Sequence, residues 1–206
     1  MTGVHMNTTK KRVTNVRNMT VTAMLSAIAF VLMFLDTAVP FMPNFIKLDV
    51  SELPALIASF ALGPVYGVIV CLVKNLIHLL MSQTGGIGEL SNFVLGVAFV
   101  LPAGLIYHHK KSKKSAIIGA FVGALVMAII SFPSNLFVVY PVYYNFMPKD
   151  VIINTYQLLL PAVKIDTIEK CLLYFNVPFT FLKGLISAVV TIFIYQPIRP
   201  LLKGNN

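Results

Sequence analysis

LSNFVLGVAFVLPAGLIYHHKKSKKSAIIGAFVGALVMAIISFPSNLFVVYPVYYNFM, residues 90–147, decides the fold. Residues 90–109 and 115–147 carry no Asp, Glu, Lys or Arg, and the loop between them holds Lys110, Lys111, Lys113 and Lys114. A bilayer core of ~30 Å is crossed by ~20 helical residues, so each run is long enough for a membrane-spanning helix and the lysines mark a turn in water. The rest of the chain agrees. Of its 206 residues, 57% are apolar and 11% charged, far fewer charges than the roughly 25% of a soluble domain. About six crossings fit this length at ~20 residues each, with no sizeable soluble domain left over. The expected fold is an all-α integral membrane protein, a bundle of six transmembrane helices with an outer amphipathic loop segment. A cytosolic enzyme and a secreted disulfide scaffold are excluded.

The net charge of +9 comes from 16 Lys and Arg against 7 Asp and Glu, and its location matters more than its sum. Lys10, Lys11, Arg12 and Arg17 precede the first apolar run, the four lysines fill the 110–114 loop, and Arg199 and Lys203 close the chain. Positive residues mark cytoplasmic segments. Both termini and the 110–114 loop are therefore expected in the cytoplasm, and the basic excess is an orientation signal, not a nucleic-acid footprint. Residues 1–19 read as a basic cytoplasmic tail, 20–198 as the six-helix membrane domain and 199–206 as a second cytoplasmic tail. Cys71 and Cys171 fit neither a metal motif nor a disulfide framework.

The first helix is expected over residues 20–39, stopped by Pro40 and Pro43, and retained as an anchor because no clear small-residue cleavage site follows. Two crossings must fit before the span at 90–107. Gly63-Pro64 divides that stretch into a short helix at 53–62 and a longer one at 65–81. The short one is only ~15 Å long, so it must sit among protein neighbours or beside a water-accessible cavity. The fifth and sixth helices are expected at 116–140 and 172–195. Between them, 141–170 mixes apolar residues (Val151, Ile152, Tyr156, Leu159, Leu160, Val163, Ile168) with polar ones. That pattern suits short amphipathic helices lying over the outer face as a lid.

Charges inside lipid are costly and mark functional candidates. Asp36, Lys74, Glu89 and Lys183 qualify. Asn75 lies beside Lys74 and His78 one turn away; Asn92 shares a helix face with Glu89; Ser134 and Asn135 add polar groups late in the fifth helix. Together they describe an outward-facing polar pocket. The bland alternative is that Asp36 and Lys74 snorkel or pair with each other. Gly85-Gly86-Ile87-Gly88 lacks the Lys and Ser or Thr of a P-loop, and no Walker A sequence occurs, so ATP hydrolysis by that chemistry is outside this polypeptide. A zinc-protease His-Glu-x-x-His and a Gly-x-Ser-x-Gly elbow are also missing, and the chain reads as no enzyme. Small residues at helix-packing spacing recur at Ala23 and Ala27, Gly63 and Gly67, and Gly119 and Gly123. The last two pairs suit internal packing; the first lies beside the basic tail, where a partner can dock.

Six segments follow one another in a specific order from about residue 20: Ala23-x-x-x-Ala27; Leu48-Asp49-Val50-Ser51-Glu52-Leu53-Pro54; Gly63-Pro64-x-x-Gly67; Lys74-Asn75-Leu76-Ile77-His78; Gly88-Glu89-Leu90-Ser91-Asn92-Phe93; and Asn176-Val177-Pro178-Phe179 leading to Lys183-Gly184. In this the chain resembles the S components of energy-coupling factor (ECF) vitamin transporters, most specifically the riboflavin-binding ones. The resemblance implies a substrate-binding subunit of a bacterial plasma membrane. Its partners would be riboflavin, a transmembrane coupling protein and two ATPase subunits, within a lipid setting and without nucleic acid. It implies no catalytic cofactor and no metal; riboflavin is the transported ligand. Ala23 and Ala27 would contact the coupling protein, and Phe41, Pro43, Asn44 and Lys47 would belong to a gating loop. The vitamin would lie between that loop and the fourth to sixth helices.

A flavin needs donors and an acceptor along one ring edge and apolar contact on both faces. On this reading Lys183, Asn92 and Asn135 serve the edge, Glu89 accepts, and Phe93 and Tyr140 cover the faces. Lys74, Asn75 or Asp49 would meet the ribityl hydroxyls. Two rivals stay open: an S component for another vitamin such as thiamine or biotin, and a stand-alone secondary transporter, against which the lack of an internal repeat argues. A membrane enzyme is the third.

Overall fold

The computed structural model describes residues 2–39, 42–43, 46–82 and 85–203. α1 (Thr2–Met33) leads into a minimal hairpin of β1 (Thr37–Ala38) and β2 (Lys47–Leu48), antiparallel with Thr37 opposite Leu48. α2 (Glu52–Ala61), α3 (Pro64–His78) and a 3₁₀ turn at Leu79–Met81 follow, then α4 (Ile87–His109) and α5 (Lys113–Ser134). A wide π turn, Asn135–Val139, carries α5 into α6 (Tyr140–Tyr143); α7 (Lys149–Leu159) follows; α8 (Ile168–Cys171) passes through a second π turn, Leu172–Asn176, into α9 (Val177–Lys203).

Among the described residues, five segments are long and apolar enough to span a bilayer: Val16–Met33, Pro64–Met81, Ile87–His109, Lys113–Tyr143 and Ile168–Tyr195. α2 is the sixth apolar helix but has only ten residues, all buried. This is the enclosure its length demands, because bare backbone ends cannot face hydrocarbon. Gly63 makes the break between α2 and α3 with φ of 132°, a region closed to most side chains, and Pro64 then opens α3 where its missing N–H costs nothing. The outward faces are apolar, as lipid requires: Leu76, Leu105, Ile129 and Phe193 are all exposed. Inside, Leu56, Phe60, Val70, Phe99, Val100 and Ala120 belong to one core. At Gly119 a Cβ would stand 2.7 Å from the Ala103 carbonyl oxygen of α4, which is the close helix approach expected of the Gly119 and Gly123 pair.

The first helix differs from the expected 20–39 at both ends. Residues 2–19 continue it, and it stops at Met33 because the peptide groups near residues 37–38 pair with 47–48 instead of with a further helical turn. The two π turns share a cause legible in the chain. Tyr140 N–H bonds back five residues to Asn135, and Val177 N–H to Leu172; each donor directly precedes a proline, Pro141 or Pro178. The proline has no N–H to continue the ladder, so the hydrogen-bond register slips by one.

Candidate functional site

Two adjoining cavities open at the end of the bundle opposite the 110–114 lysines. The larger, about 780 Å³, is lined by Met33, Phe34, Asp36, His78, Glu89, Tyr143 and Ile152 among others. The smaller, about 210 Å³, lies between α4, α5, α6 and α9, with Asn135, Tyr140, Asn176, Thr180 and Lys183 in its wall. Asp49, Gly88, Asn92 and Tyr143 line both. The π turns place Asn135 and Asn176 in this wall, in keeping with the frequent use of π bulges at functional sites.

Beneath the smaller cavity lies a buried cluster of two lysines and two acids. Lys74, 0% exposed, reaches Glu52, 1% exposed, at 3.2 Å and donates to Ser51 Oγ at 2.5 Å. Lys183 pairs with Asp49 at 2.8 Å and with Glu52 at 3.4 Å. Asp49 Oδ1 also accepts from the Ser51 backbone N–H at 2.9 Å and from Ser51 Oγ at 2.5 Å. Burial alone would raise the Asp49 carboxyl, but the ammonium groups of Lys183 and Lys74 and these hydrogen bonds hold it well below the usual carboxylate range. The cluster is formally neutral, the condition under which four charges can stay this deep.

A second polar group caps α4. Glu89 in its first turn pairs with His78 Nδ1 at 2.8 Å and accepts from Ser82 Oγ at 2.8 Å, while Ser82 Oγ accepts from the Gly86 N–H at 2.9 Å. A third group ties the amphipathic helix α7 over the cavities. Tyr156 OH donates to Asn176 Oδ1 at 2.8 Å and lies 2.6 Å from Tyr140 OH, and Asn176 Nδ2 reaches Tyr140 OH at 3.4 Å. Burial pushes the Tyr156 phenol far above its ordinary range, so it stays a neutral donor. Ile152 and Tyr156 are the buried face of α7, and Ile152 lines the larger cavity.

The expected site residues divide into three sets. Asp49, Glu89, Asn92, Asn135, Tyr140 and Lys183 come together around the cavities. Lys74 and Asn75 line neither. Lys74 stands behind Glu52 and Ser51, paired with Glu52 and not with Asp36, and Asn75 donates to the Cys71 carbonyl at 2.8 Å. Phe93 packs against the core. Of the gating-loop residues, Pro43 is buried, Lys47 is described only as backbone of β2, and Phe41 and Asn44 lie outside the described residues. Ala23 and Ala27 are both exposed on α1, on the face that also shows Met24 and Ile28.

Sequence reasoning left out Glu52, Ser82, Tyr143, Asn176 and Thr180, and it gave His78 no role of its own. Glu52 and Asn176 each carried a signal, an acid at the head of an apolar helix and an amide two residues before an intrahelical proline. Tyr143 and Thr180 carried none.

The profile of the family "ECF transporter, substrate-specific component" matches residues 17–195. The riboflavin transporter RibU of Staphylococcus aureus (strain TCH60) is 37% identical over 182 residues, covering 88% of this chain and 89% of that one. The riboflavin transporter FmnP of Bacillus subtilis (strain 168) is 29% identical over 188 residues, covering 90% and 93%. A solved structure of the S component of a bacterial ECF transporter superposes with a TM-score of 0.72 at 36% identity, covering 92% of this chain and 99% of that one.

Proposed function

Because the chain belongs to the substrate-specific components of ECF transporters, we infer that it binds riboflavin in the double cavity, from outside the cell, and passes it inward when docked on its ATP-driven partners. The observation that carries this reading is Asn92 Oδ1, a buried amide oxygen without a hydrogen-bond donor among the described residues, in the wall common to both cavities. Such an acceptor is costly unless a ligand supplies a donor, and the flavin ring has one imide N–H. Asn135, Asn176 and Lys183 offer donors for the ring carbonyls. Lys183 donates to Asp49 at 2.8 Å and forms an ion pair with Glu52 at 3.4 Å without a hydrogen bond, leaving N–H groups for ligand. Tyr140, Phe179 and Leu95 supply apolar contact.

The lysines at 110–114 set the cavities on the outer side by charge bias, with both termini in the cytoplasm. α1 presents Ala23 and Ala27 to a coupling protein, small residues that let a second helix approach closely. The polypeptide performs no chemistry of its own on this reading; ATP turnover belongs to separate subunits.

Riboflavin is yellow and fluorescent, and thiamine and biotin are neither, so titration of purified protein separates the vitamins. Saturable quenching by riboflavin with no competition from thiamine or biotin is expected, with an affinity loss of about tenfold in Asn92→Ala, the low end of a lost buried hydrogen bond. Binding of thiamine or biotin in place of riboflavin refutes the reading. Ion-driven uptake by this chain alone in proteoliposomes would refute the coupled mechanism.

A further inference from the structure

At the end of the bundle away from the double cavity, a third cavity of about 270 Å³ lies where α4 ends, α5 begins and α9 passes. Phe60, Tyr107 and Tyr195 stand in its wall, all buried, with ring centroids 4.9 to 6.1 Å apart. Their polar atoms are spent on one another: Tyr195 OH donates to the Phe60 carbonyl at 3.3 Å and lies 3.4 Å from Tyr107 OH. The result is an aromatic, largely apolar floor. The rim is its opposite, made of Lys111, Ser112 and Lys113, with both lysines exposed.

Nothing in the described chain answers those two ammonium groups. Neither lysine has an ion pair or hydrogen bond among the described residues, and no acid there lines the cavity. No Asp or Glu occurs anywhere between Glu89 and Asp150. The first turn of α5 likewise holds Lys113 and Lys114 and no acid, although cations at that end oppose the helix dipole. Charge bias for orientation can be met by lysines anywhere in the loop. It does not call for two of the four to border a cavity with an aromatic floor.

An occupant that fits carries negative charge at the water side and apolar surface below it. Ile117 and Ile192 also line the cavity, and Ile117, Phe121 and Leu125, four residues apart, are exposed along α5. They form an apolar track from the rim into the hydrocarbon layer. A soluble phosphate would use the rim and leave floor and track uncovered, whereas a phospholipid uses all three. We propose that this cavity binds an anionic phospholipid of the adjoining leaflet, its phosphodiester held by Lys111 and Lys113 and one acyl chain lying along Ile117, Phe121 and Leu125. Basic pockets between membrane helices are suited to such headgroups. The site is independent of which vitamin the double cavity takes.

The test is native mass spectrometry of the purified full chain in detergent, titrated with phosphatidylglycerol and with phosphatidylcholine of the same acyl chains. Wild type should retain one phosphatidylglycerol in preference to phosphatidylcholine. A lysine beside an anionic headgroup is worth about fivefold in affinity, so Lys111→Gln combined with Lys113→Gln should weaken phosphatidylglycerol binding about 25-fold. Lys110→Gln combined with Lys114→Gln removes the same charge from outside the cavity and should cost far less. Equal retention of the two lipids by wild type, which needs no variant to fold, overturns the proposal. Equal losses in the two double variants overturn it as well, since a diffuse basic surface would then account for the binding. Displacement of the lipid by inorganic phosphate alone would make this a site for a soluble anion instead. Unchanged lipid binding in the Lys111 and Lys113 double variant, with uptake lost when partner subunits are present, would assign the two lysines to a protein contact and refute the lipid site.

Discussion

Glu52→Gln should destabilise the protein more than any other single charge removal in the cluster. Glu52 is the acid that Lys74 and Lys183 share. Lys183 keeps Asp49 after the substitution, but Lys74, fully buried, keeps only the Ser51 hydroxyl as an ideal partner. At an effective dielectric near 20, charges 3.2 Å apart attract by about 5 kcal/mol, and breaking a buried pair costs about 3 to 5 kcal/mol. For a chain of this size that corresponds to a fall in Tm of about 6 to 20 °C. Lys74→Met should cost less, because Glu52 then retains Lys183. The double variant, which restores neutrality, should recover at least about 2 kcal/mol over Glu52→Gln alone, the signature of coupling in a double-mutant cycle. With no Trp in the chain, thermal melts in detergent are best followed by circular dichroism. A Glu52→Gln melt within about 2 °C of wild type, or strictly additive single effects, would refute the claim that the cluster is held by its charge balance.

Three further outcomes follow from the geometry. Ala27→Trp on the exposed face of α1 should abolish uptake in vesicles containing the partner subunits and leave the riboflavin Kd of the isolated chain unchanged; parallel loss of binding would show that the face only packs. Tyr156→Phe removes the hydroxyl that joins α7 to Asn176 and Tyr140, worth about 1 to 3 kcal/mol when buried partners are left unmade. Stopped-flow release of riboflavin should quicken accordingly, and unchanged release would disconnect α7 from the cavity. Asp49, with a folded pKa depressed below its unfolded value near 4, contributes stability that is complete above that unfolded value and is lost as pH falls through the folded one. Tm should therefore not change on account of this group between pH 7 and pH 5, and Asp49→Asn should remove part of the decline at lower pH; a wild-type loss already under way at pH 5 would contradict the assignment.

Much of this architecture is legible from single residues. Gly63-Pro64 announced both the break and the shortness of α2, because a glycine can leave the helix at positive φ and a proline directly after it can open the next one. Lysines at 110–114 fixed which runs were separate spans. What could not be read was pairing. Lys74 was a candidate for Asp36, yet it meets Glu52, and Lys183 meets Asp49 from 134 residues away. Partners so distant in sequence are set by how helices stack, and apolar periodicity is silent on that when helices are apolar on every side. The end of α1 was misjudged for a related reason: Pro40 and Pro43 gave a sound upper limit, but the two-residue strand pairing that ends the helix at Met33 is too short to leave a pattern.

The brevity of α2 explains why an ionic cluster stands under the smaller cavity at all. A helix that crossed the whole bilayer would begin among headgroups and water, where an ion pair is worth about 0 to 1 kcal/mol. α2 begins instead inside the protein, after a turn in which Asp49 accepts both the N–H and the hydroxyl of Ser51. Its positive dipole end is thereby buried, and an acid there is favoured. Glu52 meets that need, but a buried carboxylate then requires a cation, and α3 and α9 supply Lys74 and Lys183. Two cations require a second acid, which Asp49 provides from the hairpin connection. Each charge in the cluster is thus called for by the one before it, starting from a helix too short to reach water. The sum is a formally neutral cluster with Lys183 in the cavity wall, which gives the cavity a polar floor without net charge.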